Sequence, residues 1–228
     1  MPGVKDIKYR QVKSDLNRDL WMERLVDAGC TKREESFASA GGKFYASMVG
    51  NPCDRVLYLH YRGLLPPLVI DAHLARIFDA GNVAQDRFKK YFINEKVFVG
   101  DEIPVSCETP PISGRIDLLL NTEEKGLYIV EVKTINSNGF KGLSSPKIEH
   151  GVQLQIYLNL RDVAEGGVLY ENKDTQEVKI FKVSKQDSDW KRIIDRCTRI
   201  MDLKELPSLE SVKGKHDDRY CQCLKVVA

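Results

Sequence analysis

The stretch Ile112–Ile135, ISGRIDLLLNTEEKGLYIVEVKTI, constrains this chain more than any other. Two apolar, β-branched runs, Ile112–Leu120 and Leu127–Ile135, flank the polar segment Asn121–Gly126. That pattern reads as two antiparallel strands joined by a short turn. Val130, Val132 and Ile135 are ordinary strand residues. Asp117, Glu131 and Lys133 are not, because each puts a charge inside a run that should be at least half buried.

Side chains alternate across a strand, so Glu131 and Lys133 project together while Val132 points the other way. With the turn centred near Glu124, Asp117 falls opposite Glu131 on that same face. Two unpaired carboxylates side by side repel, and one of them would hold a proton. A divalent cation such as Mg²⁺ or Mn²⁺ removes the repulsion, taking oxygen ligands from one or two carboxylates and keeping several waters. A lysine beside it can orient the attacking water and stabilise charge at a phosphoryl group. The bland alternative is a surface hairpin carrying a Glu–Lys pair.

Asp117, thirteen intervening residues, then Glu131-Val132-Lys133 resembles the signature of the PD-(D/E)XK nucleases, with Ile116 where the name-giving proline stands. Twenty residues after Lys133 comes Gln153-Leu-Gln-Ile-Tyr157, within a helix expected over Ile148–Leu160. Residues four apart share a helix face, and the order D…ExK…QxxxY is similar to the RecB-like branch of that superfamily. The resemblance implies a restriction-endonuclease-like α/β fold, a mixed central sheet flanked by helices. It further implies that Asp117 and Glu131 ligate Mg²⁺ or Mn²⁺ with the Val132 carbonyl, that Lys133 positions the water, and that Gln153 and Tyr157 hold DNA.

Asn51-Pro-Cys-Asp-Arg-Val-Leu-Tyr, in a helix beginning near Pro52, is similar to that branch's entry helix and brings Arg55 in as a DNA contact. Its local reading is a packing helix with a buried cysteine. A helix over Ala72–Phe92, interrupted at Gly81, carries Gln85 where the branch has a histidine or glutamate, with Asp86 beside it; the resemblance makes Gln85 an outer metal ligand. Lys96–Val99 and Pro104–Glu108 read as short strands with Asp101 and Glu102 in the turn between them, and Glu108 as a further carboxylate candidate. Thr134–Gly142 is rich in Gly, Asn and Ser and reads as a loop leaving the catalytic face, with Lys141 and Lys147 as phosphate contacts.

The remaining pattern is an amphipathic helix over residues 5–29, an edge hairpin from Val168–Glu171 and Glu177–Val183, and a closing helix over Asp187–Leu203. At 228 residues the chain is long enough for one large domain, divided here as a mainly helical part (1–95), a catalytic core (96–204) and a tail (205–228). With 30% charged residues and a formal net charge of +2, any DNA-binding surface must be a local patch. The absence of a long apolar run or signal-peptide core points to a soluble, intracellular protein and no membrane partner.

Six cysteines in a chain this long do not make a disulfide scaffold. The resemblance offers a [4Fe–4S] cluster on Cys53, Cys197, Cys221 and Cys223, but the tail has C-x-C with no further cysteine. Thiols without a cluster are therefore the preferred reading. The expected function is a metal-dependent deoxyribonuclease, an exonuclease on DNA ends or single strands in recombination, repair or phage replication. The alternative is a non-catalytic DNA-binding or assembly subunit that keeps the fold.

Overall fold

The computed structural model describes residues 20–30, 41–65 and 70–209. In chain order its elements are α1 (Leu20–Cys30), β1 (Phe44–Tyr45), α2 (Ala46–Val49), α3 (Asp54–Tyr61) and α4 (Ala72–Asn94). There follow β2 (Phe98–Glu108), β3 (Pro111–Thr122), β4 (Gly126–Ile135), α5 (Ser137–Lys141), α6 (Ile148–Arg161), β5 (Glu165–Asn172), β6 (Val178–Ser184) and α7 (Asp187–Asp202). Among the described residues no helix is long and apolar enough to cross a membrane.

The strands form one mixed sheet, in which β2, β3 and β4 are antiparallel neighbours, β5 lies parallel to β4, and β6 closes the far edge antiparallel to β5. This is the expected restriction-endonuclease-like class of fold. Alternation along the hairpin explains the layering. Leu118, Leu120, Val130 and Val132 meet Phe88 of α4 on one face. Leu119, Ile129 and Val168 join Leu154, Ile156 and Leu158 of α6 in the larger core on the other. Each such side chain withdrawn from water contributes about 1.5–3 kcal/mol.

Three expectations need correction. The 23-residue α4 runs unbroken through Gly81, started by Asp71, whose Oδ1 accepts from the Leu74 amide at 2.8 Å. One internal glycine costs about 1 kcal/mol, which the packing of Ala75, Ala84 and Phe88 outweighs. The expected pair of short strands is the single strand β2, because β3 offers it a partner almost to both ends; the irregularity is a register shift at Phe98/Gly100. The Gly/Asn/Ser-rich stretch after β4 is not a loop, since Asn136 Oδ1 caps α5 by accepting from Gly139, and the Lys179 ammonium donates to the Phe140 and Leu143 carbonyls.

The terminal hairpin is likewise only half an edge. β5 is buried along nearly its whole length because β4 and β6 flank it, whereas β6 alternates exposed and covered residues. The expected N-terminal helix is described only as α1, where Leu20, Trp21, Leu25 and Val26 are exposed; residues 1–19 lie outside the described residues.

Two local arrangements fix how the layers meet. Gly166 of β5 lets α6 descend on the sheet: an added Cβ would lie 2.6 Å from the Ile129 carbonyl oxygen and 3.1 Å from Leu154. On the other side of α6, Arg196 of α7 donates to the Val49 and Asn51 carbonyls and to Asp54, and Arg199 donates to Asp54 as well. Burial pushes the Asp54 carboxyl up, but its hydrogen bonds and charge interactions with Arg199 and Arg196 outweigh this and hold it below its ordinary value.

Gly166→Ala is expected to cost about 2–3 kcal/mol, read as a lower urea midpoint with unchanged slope. Asp54→Asn is expected to cost about 1–2 kcal/mol at neutral pH. Because the folded carboxyl titrates lower than the unfolded one, its stabilisation is present above the unfolded value of 3.8 and lost as the pH falls through the folded value. Denaturation series for wild type and variant should therefore converge in acid.

Candidate active site

The site forms where β3 changes partners. Along one edge β3 pairs with β2 almost throughout, so its other edge must serve both β1 and β4. β4 takes Leu118–Thr122, and β1 takes only Ile112 and Ser113. Residues 114–117 face neither, and the gap opens into a cleft lined by Tyr45–Ser47, Glu102, Ser113–Arg115, Asp117, Gln153 and Tyr157. At about 390 Å³ it lies within the range of ligand-binding clefts.

Asp117 sits at the branch. Leu118 is the last β3 residue in register with β4, opposite Val130, so Asp117 comes level with Glu131 as expected. Its Oδ2 accepts from the Val132 amide at 2.8 Å, replacing the strand carbonyl that β3 no longer presents. Glu131 is fully buried, and the Lys133 ammonium lies 2.5 Å from its Oε1. That ammonium partners Oε1, whereas Oε2 has no hydrogen-bond donor.

The electrostatics follow from burial. Loss of water, then the Asp117 charge, push the Glu131 carboxyl up to about 8. Burial also raises Asp117, against the attraction of Lys133. For Lys133 burial works against the charge, but Glu131 and Asp117 outweigh it and the ammonium is held above its ordinary value. A buried carboxylate pair that keeps an oxygen without a hydrogen-bond donor is the donor set a hard divalent cation takes. Among the described residues no group of three or more His, Cys, Asp or Glu is assembled as a metal cage. The fit is therefore to an ion held by two carboxylates and a backbone carbonyl with water completing its shell, as Mg²⁺ prefers.

Gln153 and Tyr157 reach the cleft from α6, yet not as a stacking platform. Tyr157 is buried, and its hydroxyl accepts from Gln153 Nε2 at 3.0 Å. The ring fills the space beside Gly114, where a Cβ would come within 2.7 Å of it. It therefore plugs the gap between β1 and β4, and it offers no ring face to a base. Gln85 enters from α4: its amide nitrogen lies 2.9 Å from Glu102 Oε1 and 3.4 Å from the Asp117 carbonyl.

Other expected residues lie elsewhere. Arg55 is buried and donates to the Pro207 carbonyl at 2.7 Å, tying α3 to the segment after α7 instead of facing DNA. Lys141 ends α5 in solvent, outside the cleft lining. Glu108 pairs with Pro111 at the opposite end of β2 from Phe98. Cys53 is buried with Val56 and Leu59, Cys197 is buried in the larger core, and burial pushes the Cys197 thiol up to about 12. Cys221 and Cys223 lie outside the described residues.

Sequence reading missed Glu102, Arg115 and His150. Asp101 pairs with Leu118 and Ile103 with Ile116, which sets Glu102 level with Asp117 on the next strand. A continuous β2 drawn antiparallel to β3 would have shown this; the Gly-Asp-Glu run read as a turn instead. Arg115 lies on the cleft wall with Nη1 3.1 Å from Glu102 Oε2. His150 Nδ1 is 2.7 Å from the hydroxyl of Tyr170, which is level with Lys133 on β5. Burial, then Lys133 and Lys147, push this imidazole down to about 4, so it is neutral at physiological pH.

Among solved structures, the chain is similar to SSO0001 with a TM-score of 0.57 at 19% identity, covering 90% of this chain and 96% of that one. It is also similar to LHK-Exo in complex with dAMP, with a TM-score of 0.53, 16% identity and coverage of 74% and 90%. The alkaline exonuclease LHK-Exo from Laribacter hongkongensis gives 0.51, 17%, 74% and 90%. At these identities the likeness speaks for the fold. No curated protein sequence matches the chain. The family model of the PD-(D/E)XK nuclease superfamily matches residues 49–223, more than half of the chain. With Asp117, Glu131 and Lys133 gathered at one break in the sheet, the chain belongs to the PD-(D/E)XK nuclease superfamily.

Proposed function

We propose that this protein is a metal-dependent deoxyribonuclease that hydrolyses phosphodiester bonds, acting as an exonuclease on DNA ends or single strands. The observation that carries the reading is the fully buried Glu131, met by the charged Lys133 on Oε1, without a hydrogen-bond donor on Oε2, and crowded by Asp117. Keeping a carboxylate in that state costs stability, and a function that uses its oxygens accounts for it.

Asp117 and Glu131, with the Val132 carbonyl, are the residues that would hold a Mg²⁺ or Mn²⁺ ion. Such an ion, when bound, supplies a Lewis acid for the phosphoryl oxygen and makes water a stronger nucleophile. The Val132 amide orients Asp117 by donating to Oδ2. Lys133, held protonated by its two carboxylate neighbours, orients the attacking water and stabilises the charge that grows on the phosphoryl oxygens. Gln153, whose amide reaches the cleft, holds the backbone of the bound strand.

Exonuclease action rests on the fold shared with an alkaline exonuclease and is the part most open to direct test. With Mg²⁺ or Mn²⁺, the protein is expected to degrade end-labelled linear DNA and single strands while sparing closed circles, and EDTA should stop it. Lys133→Ala should lower the rate at least about a hundredfold. Equal rates for wild type and Lys133→Ala would sink the catalytic reading and leave a non-catalytic DNA-binding subunit; nicking of closed circles would sink the exonuclease mode alone.

The same arrangement separates function from stability. In EDTA near neutral pH, Glu131→Gln is expected to be more stable than wild type by about 1–2 kcal/mol, because the folded carboxyl, raised to about 8, must hold a proton that the unfolded one has lost, a penalty the amide does not carry. Added Mn²⁺ should raise the Tm of the wild type and leave that of the variant unchanged, as read by scanning calorimetry.

A further inference from the structure

Resting on the nuclease reading above, we propose that Tyr45 is the surface on which a base of the bound DNA stacks, so that the cleft takes an unpaired strand in preference to an intact duplex. Two aromatic residues line the cleft with Asp117. Tyr157 is buried, whereas Tyr45 is 39% exposed. A lone aromatic on a convex surface is commonplace. Tyr45 instead stands in the wall of a concavity that Asp117 and Gln153 share, and the stacking role that the buried Tyr157 leaves open falls to β1.

The local fold fixes that ring. Alternation along β1 sends Phe44 and Tyr45 to opposite faces. Phe44 enters the core and stacks on Tyr61 of α3, with ring centroids 4.7 Å apart. Tyr45 stays on the cleft side, where the His60 ring meets it nearly at right angles, 5.2 Å between centroids. His60 is buried and hydrogen-bonded to the Lys43 backbone, and burial pushes its imidazole below its ordinary value. A perpendicular contact covers at most one face of the tyrosine ring, so a face remains for a base. The backbone of Tyr45 is meanwhile held level with Ser113 of β3. A ring already held in place loses little freedom when a ligand settles on it.

Register gives the reach. Tyr45 is level with Ser113, and Asp117 lies four residues further along β3, about 13 Å away at a strand's rise of about 3.3 Å per residue. Phosphates along one DNA strand are at least about 3.4 Å apart, so the stacked base lies within about four nucleotides of the phosphate at Asp117. Inside a duplex both faces of a base are covered by its neighbours. An unpaired strand can lay a base on an aromatic ring at little cost and whatever the base's identity. The same wall carries the exposed guanidinium of Arg115, a positive group for the strand's backbone.

The test reads stacking directly. 2-Aminopurine, whose fluorescence falls when it stacks on an aromatic ring, is placed in turn at each position of a short single strand, and binding is followed with Ca²⁺ in place of Mg²⁺. Wild type is expected to quench the probe at one or two adjacent positions within about four nucleotides of the bound end. An abasic residue there should weaken wild type about tenfold, an arm that needs no variant. Tyr45→Leu keeps apolar bulk but has no ring; it should lose the quenching and weaken the single strand about tenfold, with less than about a twofold effect on a blunt duplex. Tyr45→Phe keeps the ring and should bind and quench like wild type. Position-specific quenching that survives in Tyr45→Leu, equal weakening of strand and duplex, or failure of Tyr45→Phe would each overturn the stacking role. Degradation of DNA by wild type with Mg²⁺ then leaves the nuclease reading standing. Quenching lost in Tyr45→Leu from a wild type that degrades no DNA would sink the nuclease reading and keep Tyr45 as a strand contact.

Discussion

A single hydrogen bond organises the site: the Asp117 carboxylate accepts from the Val132 amide where β3 and β4 part. Sheet edges need partners for their amides, and a strand that leaves its neighbour exposes one. Asp117 supplies the missing acceptor from a side chain, so the separation that opens the cleft leaves no buried amide unsatisfied there. The same bond turns Asp117 toward Glu131 and Lys133. Loss of pairing, opening of the cleft and convergence of the charged groups are thus one structural event.

The surrounding architecture maintains that event. β1 takes over the β3 edge for only two residues, which bounds the gap at its far end. Tyr157, placed by α6, fills the volume beside Gly114 and keeps the two edges apart. α6 in turn needs Gly166 to approach the sheet closely and is backed by α7, whose Arg196 fastens the α2–α3 segment. Packing far from the charges therefore decides their separation, because close-packed interiors transmit small displacements.

The energetic cost is concentrated at Glu131. Its Oε2 lacks the donor that normally accompanies a buried carboxylate, and the Lys133 ammonium beside Oε1 offsets only part of the desolvation. Lys133 gains from the same arrangement, since two carboxylates keep it charged despite burial. Both groups are pushed upward, which disfavours the charge on Glu131 and favours that on Lys133, so the site carries a costly carboxyl beside a fixed positive charge.

Much of this was legible in the sequence, for identifiable reasons. Apolar runs with period-two alternation located β3 and β4, and charges that alternation would bury marked Asp117, Glu131 and Lys133, since burying a charge needs a cause. The four-residue spacing put Gln153 and Tyr157 on one face of α6. What the sequence could not carry was pairing between distant segments. Gly100-Asp-Glu has turn composition, yet β3 draws it into a continuous β2 and sets Glu102 beside Asp117. Arg55 looked like a phosphate contact, and only the packing of α3 against the segment after α7 turned it inward to Pro207. Local composition determined which residues bear the chemistry; only the tertiary structure decided which of them share one cleft, because strand partnership depends on edges that no single stretch encodes.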